Sequence, residues 1–286
     1  MLTTIAVIFR IFSNSVANLY QKKSSEIISP LTVNLVSYFI MSCMCLYFAV
    51  QVDWTQYNTV FWGSVILAGI LCTVGTLSLI EALRIGELSV LAPINSYKSV
   101  IGLLGAFILL GELPTIKEFV CVLFIILGSY CVLDTDEKRF SIKTFLRRDI
   151  RLRIFALVCS GLEASVLKKI ILLSSYKISL ILWCFSGFIC SLFIYLFYSG
   201  NLEYKTLLNK SSLKYCFIVA VSLLIMQLST NYVFSKLPVA PALALFQLSS
   251  LVSLYFGYKV YHEKHILKKL LGTIIMICSA VVILYD

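Results

Sequence analysis

Long apolar stretches dominate this sequence and leave few folds open to it. Ten segments are each about 20 residues long and apolar enough to cross the roughly 30 Å hydrocarbon core of a bilayer as a helix. They cover residues 3–23, 31–50, 60–83, 88–110, 115–133, 152–172, 178–199, 213–235, 239–261 and 266–285. We therefore predict an all-α membrane protein with ten transmembrane helices. The first segment is interpreted as a membrane helix and not as a signal peptide, because Arg10 and later polar residues interrupt its apolar run.

The composition agrees with a membrane protein and excludes a large soluble domain. Hydrophobic residues make up 60% of the 286 residues and charged residues only 13%, whereas soluble domains contain about 45–50% apolar and about 25% charged residues. The net charge of +10 does not indicate nucleic-acid binding, because the basic residues lie in loops where they set orientation and meet anionic headgroups. The lipid bilayer is therefore an expected partner, and nucleic acid is not.

Cysteine and histidine show no pattern typical of a metal site. The ten cysteines lie within the apolar segments and include no CxxC pair, so we interpret them as small hydrophobic side chains between helices. The two histidines, His262 and His265, share a short loop without a thiol cluster. The sequence also lacks a GxxxxGK[ST] phosphate-binding loop. We therefore expect no metal and no cofactor.

The two halves of the chain resemble each other at two constant offsets. At an offset of 151, residues 76–133 align with residues 227–284 without a gap. At an offset of 146, the first helix aligns with the sixth, and the pair that starts at Lys22 aligns with the pair that starts at Lys168. Two matches in the same order predict an internal repeat.

The repeat divides the chain into two halves of five helices each. We assign residues 1–135 to the first repeat, residues 136–151 to a basic linker, and residues 152–286 to the second repeat. Because five is an odd number, the second repeat must enter the membrane in the opposite sense to the first. Such inverted repeats are typical of secondary transporters, in which the substrate binds near the middle of the membrane between the repeats.

A lysine lies near the middle of the predicted fourth helix. Lys98 is too deep to reach either membrane surface easily, and a charge at that depth costs about 2.5–3.5 kcal/mol on insertion scales. Glu163, near the middle of the predicted sixth helix, is the best candidate for its partner. Either these two residues line a substrate site, with one of them titrating, or they form a structural ion pair that fixes two helices together. Pro93, earlier in the same helix, predicts a bend.

Other polar side chains within the apolar segments are candidates for the lining of a substrate cavity. They are Arg10, Asn14, Asn18, Asn95, Gln227, Asn231 and Gln247. The first three are spaced by four residues and share one face of the first helix. Such a face must contact protein or water, because lipid offers no hydrogen-bond partners. The alternative interpretation is a seam of hydrogen bonds between helices.

The stretch Leu88–Glu112 carries a family resemblance. Its sequence, LSVLAPINSYKSVIGLLGAFILLGE, has a proline near the start, small residues midway and Gly-Glu at the end. It resembles the fourth helix of EamA-type transporters in the drug/metabolite transporter superfamily, and the lysines that end the first and sixth helices are also similar to that family. The second half echoes the pattern with Pro238, Pro241 and Glu263, although His262 replaces the glycine. The resemblance implies two inverted five-helix repeats and alternating access around a central cavity.

These patterns and the resemblance together predict a function. We expect a multi-pass secondary transporter of the cell membrane, namely a bacterial inner membrane, that moves a small polar organic metabolite such as an amino acid or a related compound. A proton is the candidate coupling ion, and the protein is expected to be a monomer or a homodimer.

Several alternatives stand beside this prediction. One is a transporter of the nucleotide-sugar or hydrophobic-drug type. Two belong to other classes, namely an intramembrane lipid-modifying enzyme and a membrane receptor without transport. We expect no enzyme, because His and Asp are sparse in the apolar segments.

Two signals for the orientation in the membrane disagree. The positive-inside rule places the basic linker in the cytoplasm and both termini outside, whereas the resemblance implies that both termini are cytoplasmic. An even number of helices puts the termini on the same side in either case.

Overall fold

The computed structural model describes residues 2–97, 116–133, 146–198, 210–237 and 239–284, and every regular element in these ranges is helical. The first half contains α1 (Leu2–Ser25), α2 (Pro30–Ala49), α3 (Thr59–Ile85), α4 (Leu88–Leu91) and α5 (Ile116–Leu133). The second half contains α6 (Arg148–Leu173), α7 (Tyr176–Tyr198), α8 (Lys210–Lys236), α9 (Val239–Phe246), α10 (Ser249–Tyr261) and α11 (Ile266–Leu284). The predicted all-helical class is therefore confirmed for the described residues.

Local sequence signals explain where two of the long helices begin. The Ser29 side chain accepts a hydrogen bond from the amide of Thr32 at 3.3 Å, and Pro30 occupies the first turn of α2, where no N–H is needed. The Asn58 side chain accepts a hydrogen bond from the amide of Phe61 at 3.0 Å at the start of α3. Both caps satisfy amides that would otherwise lack a partner at a helix N-terminus.

Long apolar helices identify the environment of the protein. Among the described residues, five helices are long and apolar enough to cross a membrane, namely Leu2–Ser25, Pro30–Ala49, Thr59–Ile85, Tyr176–Phe197 and Ser211–Lys236. Their outer faces leave large side chains exposed, including 56% of Phe9, 71% of Tyr47 and 76% of Phe197. Soluble monomers rarely expose apolar surface on this scale. The chain is therefore a multi-pass membrane protein.

The predicted fourth helix is not continuous. Its described part ends as an α-helix at Leu91 and continues as a 3-10 turn over Pro93–Ser96. The prediction of an unbroken helix over residues 88–110 is therefore wrong near its start, because Pro93 has no N–H to donate to the preceding turn. The remainder of that predicted helix, from Lys98 onward, lies outside the described residues.

The predicted ninth helix is interrupted as well. Residues Gln247 and Leu248 form a turn between α9 and α10, so the prediction of one helix over residues 239–261 is also wrong. The two interruptions correspond in the repeat, because an offset of 151 carries Pro93–Ser96 onto residues 244–247. Residues 244–247 contain no proline, so proline cannot be the common cause of the two breaks.

The helices pack in pairs that join the first half to the second. Helix α1 packs along α8, α3 along α6, α2 along α7, and α5 along α11. The approach of α5 to α11 is so close that a Cβ atom added to Gly128 would lie 2.7 Å from the carbonyl oxygen of Gly272. The set of pairs is symmetric between the halves. If each helix is replaced by its counterpart in the other half, the α1–α8 pair becomes the α6–α3 pair.

Contacts at one end of the molecule fix the directions of the helices. Both α1 and α3 end there, because the Nζ atom of Lys22 donates to the carbonyl oxygen of Gly86 at 2.6 Å. Helix α6 begins at that same end, where Nη2 of Arg148 donates to Oε1 of Glu81 at 2.9 Å. Helices α1 and α6, the first helices of the two halves, therefore run in opposite directions.

Candidate substrate cavity

A polar cavity of about 140 Å³ lies among the helices of both halves. Helices α1, α3, α6, α7, α8 and α9 line it, together with the 3-10 turn after α4. Its polar lining consists of Arg10, Asn14, Asn18, Gln21, Cys72, Thr76, Asn95, Arg153, Ser160, Glu163, Trp183, Gln227 and Thr230. The structure thus brings together six of the nine residues that the sequence proposes for the site.

Helix α1 contributes a stripe of polar side chains to the cavity. Arg10, Asn14, Asn18 and Gln21 are spaced by four, four and three residues, so they lie on one face of the helix. The Nδ2 atom of Asn14 donates to Oγ of Ser249 at 3.2 Å, which joins this face to the start of α10. The polar face of α1 therefore lines a cavity and also forms a hydrogen bond to a neighbouring helix, as the two interpretations describe.

The guanidinium of Arg10 lies over an aromatic ring of the second half. Its Cζ atom is 4.5 Å from the centroid of the Phe246 ring, within the range of a cation–π interaction. The Nε and Nη1 atoms of Arg10 are buried, and neither has a hydrogen-bond partner among the described residues. Most buried polar atoms in folded proteins do have partners, so these two donors are unusual.

Arg153 is a cavity residue that the sequence analysis missed. It is only 5% exposed, and its Nε atom donates to the carbonyl oxygen of Leu91 at 2.9 Å. Its Nη2 atom donates to Oδ1 of Asn95 at 2.5 Å. An arginine at the second position of the apolar segment 152–172 was the available signal, but the neighbouring Arg151 and the basic linker made it look like part of a solvated terminus.

The interrupted segment after α4 is held by side chains from the second half. The carbonyl oxygen of Ala92 accepts a hydrogen bond from Oγ of Ser250 at 3.0 Å, and that of Asn95 accepts one from Nε2 of Gln247 at 3.1 Å. Irregular backbone at membrane depth needs such partners, because lipid supplies none. Gln247, which the sequence proposes as a cavity residue, therefore lies beside the cavity and supports the turn that carries Asn95.

Glu163 lines the cavity but bonds to a different residue from the one predicted. Its Oε1 atom accepts a hydrogen bond from the indole Nε1 of Trp183 at 2.7 Å. The predicted partner, Lys98, lies outside the described residues, so the proposed pair stays a prediction. Trp183 in turn packs on Tyr38, with ring centroids 5.1 Å apart.

Two amides of α8 differ in their position relative to the cavity. Gln227 lines it and donates from Nε2 to Oδ1 of Asn231 at 2.9 Å. Asn231 is fully buried behind Gln227, and its Nδ2 atom donates to the carbonyl oxygen of Tyr176 at 3.3 Å. Gln227 is therefore accessible from the cavity, whereas Asn231 orients it.

A buried ionic cluster joins three segments at the end where α1 stops. Lys22, besides its bond to Gly86, lies 3.7 Å from Oε1 of Glu263. The two carboxylate oxygens of Glu263 accept hydrogen bonds from the amides of Leu88 and Ser89 at 2.8 and 2.9 Å. These five residues are called the Lys22–Glu263 cluster below. The hydrogen bonds of Glu263 therefore go to α4 in the other half and not to the helix that follows Glu263 in the chain.

The backbone before Glu263 is left-handed. His262 has φ of 51° and ends α10, a conformation that glycine adopts without strain and that favours it at helix C-termini. The glycine of the family pattern at this position therefore has a physical reason, and this chain adopts the same backbone with histidine.

A related contact lies at the opposite end. The Nζ atom of Lys168 donates to the carbonyl oxygens of Phe234 and Leu237, the latter at 3.2 Å. Lys168 corresponds to Lys22 at the offset of 146, and Leu237 corresponds to Gly86 at the offset of 151. The same two offsets that align the sequences therefore also relate these two contacts.

Comparison with known families identifies the first half of the chain. Residues 1–134 match the model of the EamA-like transporter family. The resemblance to EamA-type transporters of the drug/metabolite superfamily is thereby confirmed over residues 1–134. This match and the long apolar helices together support a membrane transporter.

Solved structures share the fold of this chain over nearly its whole length. One protein crystal structure superimposes with a TM-score of 0.68 at 10% sequence identity, covering 98% of this chain and 95% of the other. At that identity the likeness concerns the fold alone. No curated protein sequence matches the chain.

Proposed function

We propose that this EamA-like protein is a secondary transporter that moves a small polar organic metabolite, an amino acid or a related compound, by alternating access. In this proposal residues 1–135 and 152–286 are inverted five-helix repeats joined by the linker 136–151, and the substrate binds in the cavity between them. The cell membrane, a bacterial inner membrane, is the proposed location.

The correspondence between the two lysine contacts carries this proposal. Lys22 bonds the backbone after α3, Lys168 bonds the backbone after α8, and the two contacts lie at opposite ends of the molecule. A transporter with alternating access needs two equivalent ends that close in turn. A pair of repeat-related contacts, each at the end of one half, supports that arrangement.

The composition of the cavity lining supports a polar organic substrate. Amides, hydroxyls and charged groups line it together with apolar side chains such as Leu223, Leu243 and Phe246. Amide and hydroxyl groups both donate and accept hydrogen bonds, which suits a metabolite with several functional groups. The interrupted helices beside the cavity agree with this, since such breaks are typical of transporter binding sites.

A proton is the proposed coupling ion, and Glu163 is the proposed group that carries it. Among the described residues that line the cavity, Glu163 is the one carboxylate. Carboxylates inside membrane proteins are costly and commonly serve proton relays. Lys98 stays a sequence-based candidate for the same site.

The test is uptake of a radiolabelled metabolite panel into proteoliposomes with an imposed pH gradient. We expect gradient-dependent accumulation of at least one amino acid or related metabolite by the unsubstituted protein. Glu163→Gln should abolish the dependence on the gradient, because the glutamine side chain cannot release a proton. Glu26→Gln is the matched control, since Glu26 is exposed and lies outside the cavity, and it should leave uptake unchanged. Uptake of no panel member would contradict the proposed transport, and an unaltered gradient dependence in Glu163→Gln would contradict the role of Glu163.

A further inference from the structure

We infer that Arg10 recognises the substrate, and that the group it binds is a single carboxylate. This inference rests on the proposed transport function and names the substrate chemistry of the same cavity.

The first argument is that Arg10 has no anionic partner among the described residues. Its Nε and Nη1 atoms are buried without a hydrogen bond, and no carboxylate in the described ranges forms an ion pair with it. An uncompensated charge of this kind is costly in a low-dielectric environment. A ligand that supplies the missing negative charge removes that cost.

The second argument is the way in which the guanidinium is presented. The Cζ atom of Arg10 lies 4.5 Å from the centroid of the Phe246 ring. This contact leaves the buried Nε and Nη1 donors without a hydrogen-bond acceptor among the described residues, so they can donate to a ligand. Two neighbouring N–H groups form a fork that matches the two oxygens of a carboxylate.

The third argument comes from a comparison with Arg153, which lines the same cavity. Arg153 donates from Nε to the carbonyl oxygen of Leu91 and from Nη2 to Oδ1 of Asn95. Its hydrogen bonds support the interrupted segment after α4, so it is engaged without a ligand. Among the described residues, the cavity therefore contains one arginine that bonds the protein and one with two buried donors that have no hydrogen-bond partner.

The charge of the cavity favours a carboxylate over a phosphate. Its described lining carries two guanidinium groups, on Arg10 and Arg153, and one carboxylate, on Glu163. With Glu163 ionised, the excess is one positive charge, which a single carboxylate balances. A phosphate monoester carries about −1.5 to −2 at neutral pH and would leave negative charge unbalanced.

Neighbouring side chains suit the remainder of such a substrate. Asn14 and Asn18 follow Arg10 along the same face of α1, one and two turns away. Phe234 and Leu243 of the second half line the same cavity. A substrate whose carboxylate is held at Arg10 would thus find both amide and apolar groups in the cavity lining.

The experiment measures thermal unfolding of the detergent-solubilised full chain with matched probe pairs. The probes are the proteinogenic amino acids, their 2-oxo acids and their carboxamides, with inorganic phosphate as a separate anion. Ligands that bind the folded state raise its Tm. We expect at least one acid to raise the Tm of the unsubstituted protein, while the corresponding carboxamide and inorganic phosphate do not. Arg10→Gln should weaken binding of that acid at least about 30-fold, and Arg10→Lys should weaken it less.

The Tm without ligand separates a binding role from a structural one. Arg10→Gln should leave that Tm unchanged or raise it, because the substitution removes an unpaired buried charge. Arg153→Gln is the matched control, and it should lower that Tm, because it breaks the bonds to Leu91 and Asn95. If Arg10→Gln lowers the Tm as much as Arg153→Gln does, Arg10 is structural and the inference is wrong.

The remaining outcomes distinguish this inference from the proposed function. Stabilisation by phosphate or by carboxamides and not by the acids overturns the carboxylate assignment, and so does a panel without any acid-dependent shift. Uptake of a neutral metabolite that Arg10→Gln leaves intact overturns the inference while transport stands. Acid binding that depends on Arg10, without flux into proteoliposomes, upholds the inference and contradicts the proposed transport.

Discussion

At the residue scale, two of the charged side chains that line the cavity are held by hydrogen bonds within the protein. Arg153 bonds the irregular backbone after α4, and Glu163 accepts a hydrogen bond from Trp183. The indole of Trp183 is 5% exposed and packs on Tyr38, so its position is fixed by packing. Trp183 thus holds the carboxylate of Glu163 at a defined place in the cavity wall.

Replacement of Trp183 by phenylalanine tests this role. Trp183→Phe keeps an aromatic ring but removes the N–H that Glu163 accepts, so we expect the free energy of unfolding to fall by about 1–2 kcal/mol. Thermal or denaturant unfolding in detergent measures the change. Trp54→Phe is the control, because the Nε1 atom of Trp54 also donates one hydrogen bond, at 3.1 Å to the carbonyl oxygen of Ala49, but in a partly exposed loop. An equal loss in both variants would contradict a special role for the Trp183–Glu163 bond.

At the element scale, the interrupted helices and the Lys22–Glu263 cluster belong together. Glu263 of the second half bonds the first amides of α4, and Lys22 of α1 neutralises it. The side chain of Lys22 is 10% exposed and that of Glu263 is 6% exposed, so solvent screens this pair little. The cluster therefore ties the ends of α1 and α3, the start of α4 and the loop after α10 into one unit.

Substitution of Lys22 tests how strongly this unit holds. Lys22→Met preserves the apolar stem but removes the ammonium, which leaves the Glu263 charge buried, so we expect a loss of about 1–3 kcal/mol in the free energy of unfolding. Lys23→Met is the matched control, because Lys23 forms only a cation–π contact with Tyr20, at 5.3 Å, among the described contacts, and surface substitutions are usually within about 0.5 kcal/mol. Denaturant titration in detergent measures both. The cluster would be dispensable if the two variants unfolded at the same midpoint.

At the scale of the whole molecule, the first helices of the two halves run in opposite directions. Helix α1 ends, and α6 begins, at the end that contains the Lys22–Glu263 cluster. The loop after α1 and the loop after α10 must therefore lie on one side of the membrane. The loop after α2 and the end of α8 must lie on the other side.

Labelling of introduced cysteines with a membrane-impermeant maleimide tests this arrangement. We expect Glu26→Cys and Lys264→Cys to react from one side in intact cells, and Gln56→Cys and Lys236→Cys to react from the opposite side. All four positions are exposed, so access to the reagent depends on the side and not on burial. Permeabilised cells provide the positive control, and the unsubstituted protein gives the background from its native cysteines. Reaction of Glu26→Cys and Gln56→Cys from the same side would contradict the directions of the helices.

Periodicity in the sequence is informative about where helices lie and much less informative about how they are interrupted. The predicted segments 3–23 and 60–83 correspond to α1 and α3 within two residues at each end, because a spanning helix is bounded by the length of apolar sequence. The breaks after Leu91 and Phe246 were predicted as continuous helix, apart from a bend at Pro93. Carbonyl groups released at such a break need donors from other helices, here Arg153 and Ser250, and only the packed structure supplies them.

The sequence alone determined that this chain is a helical membrane protein, and it identified six of the polar residues that line the cavity. These properties follow from the free-energy cost of placing charged groups and unbonded backbone in lipid, and that cost depends on the local sequence of each segment. The partners of the charged groups were decided by the tertiary structure, which paired Glu163 with Trp183 and Glu263 with α4 and left the buried donors of Arg10 unbonded among the described residues. Those pairings join helices that are distant in the chain, so no local pattern specifies them.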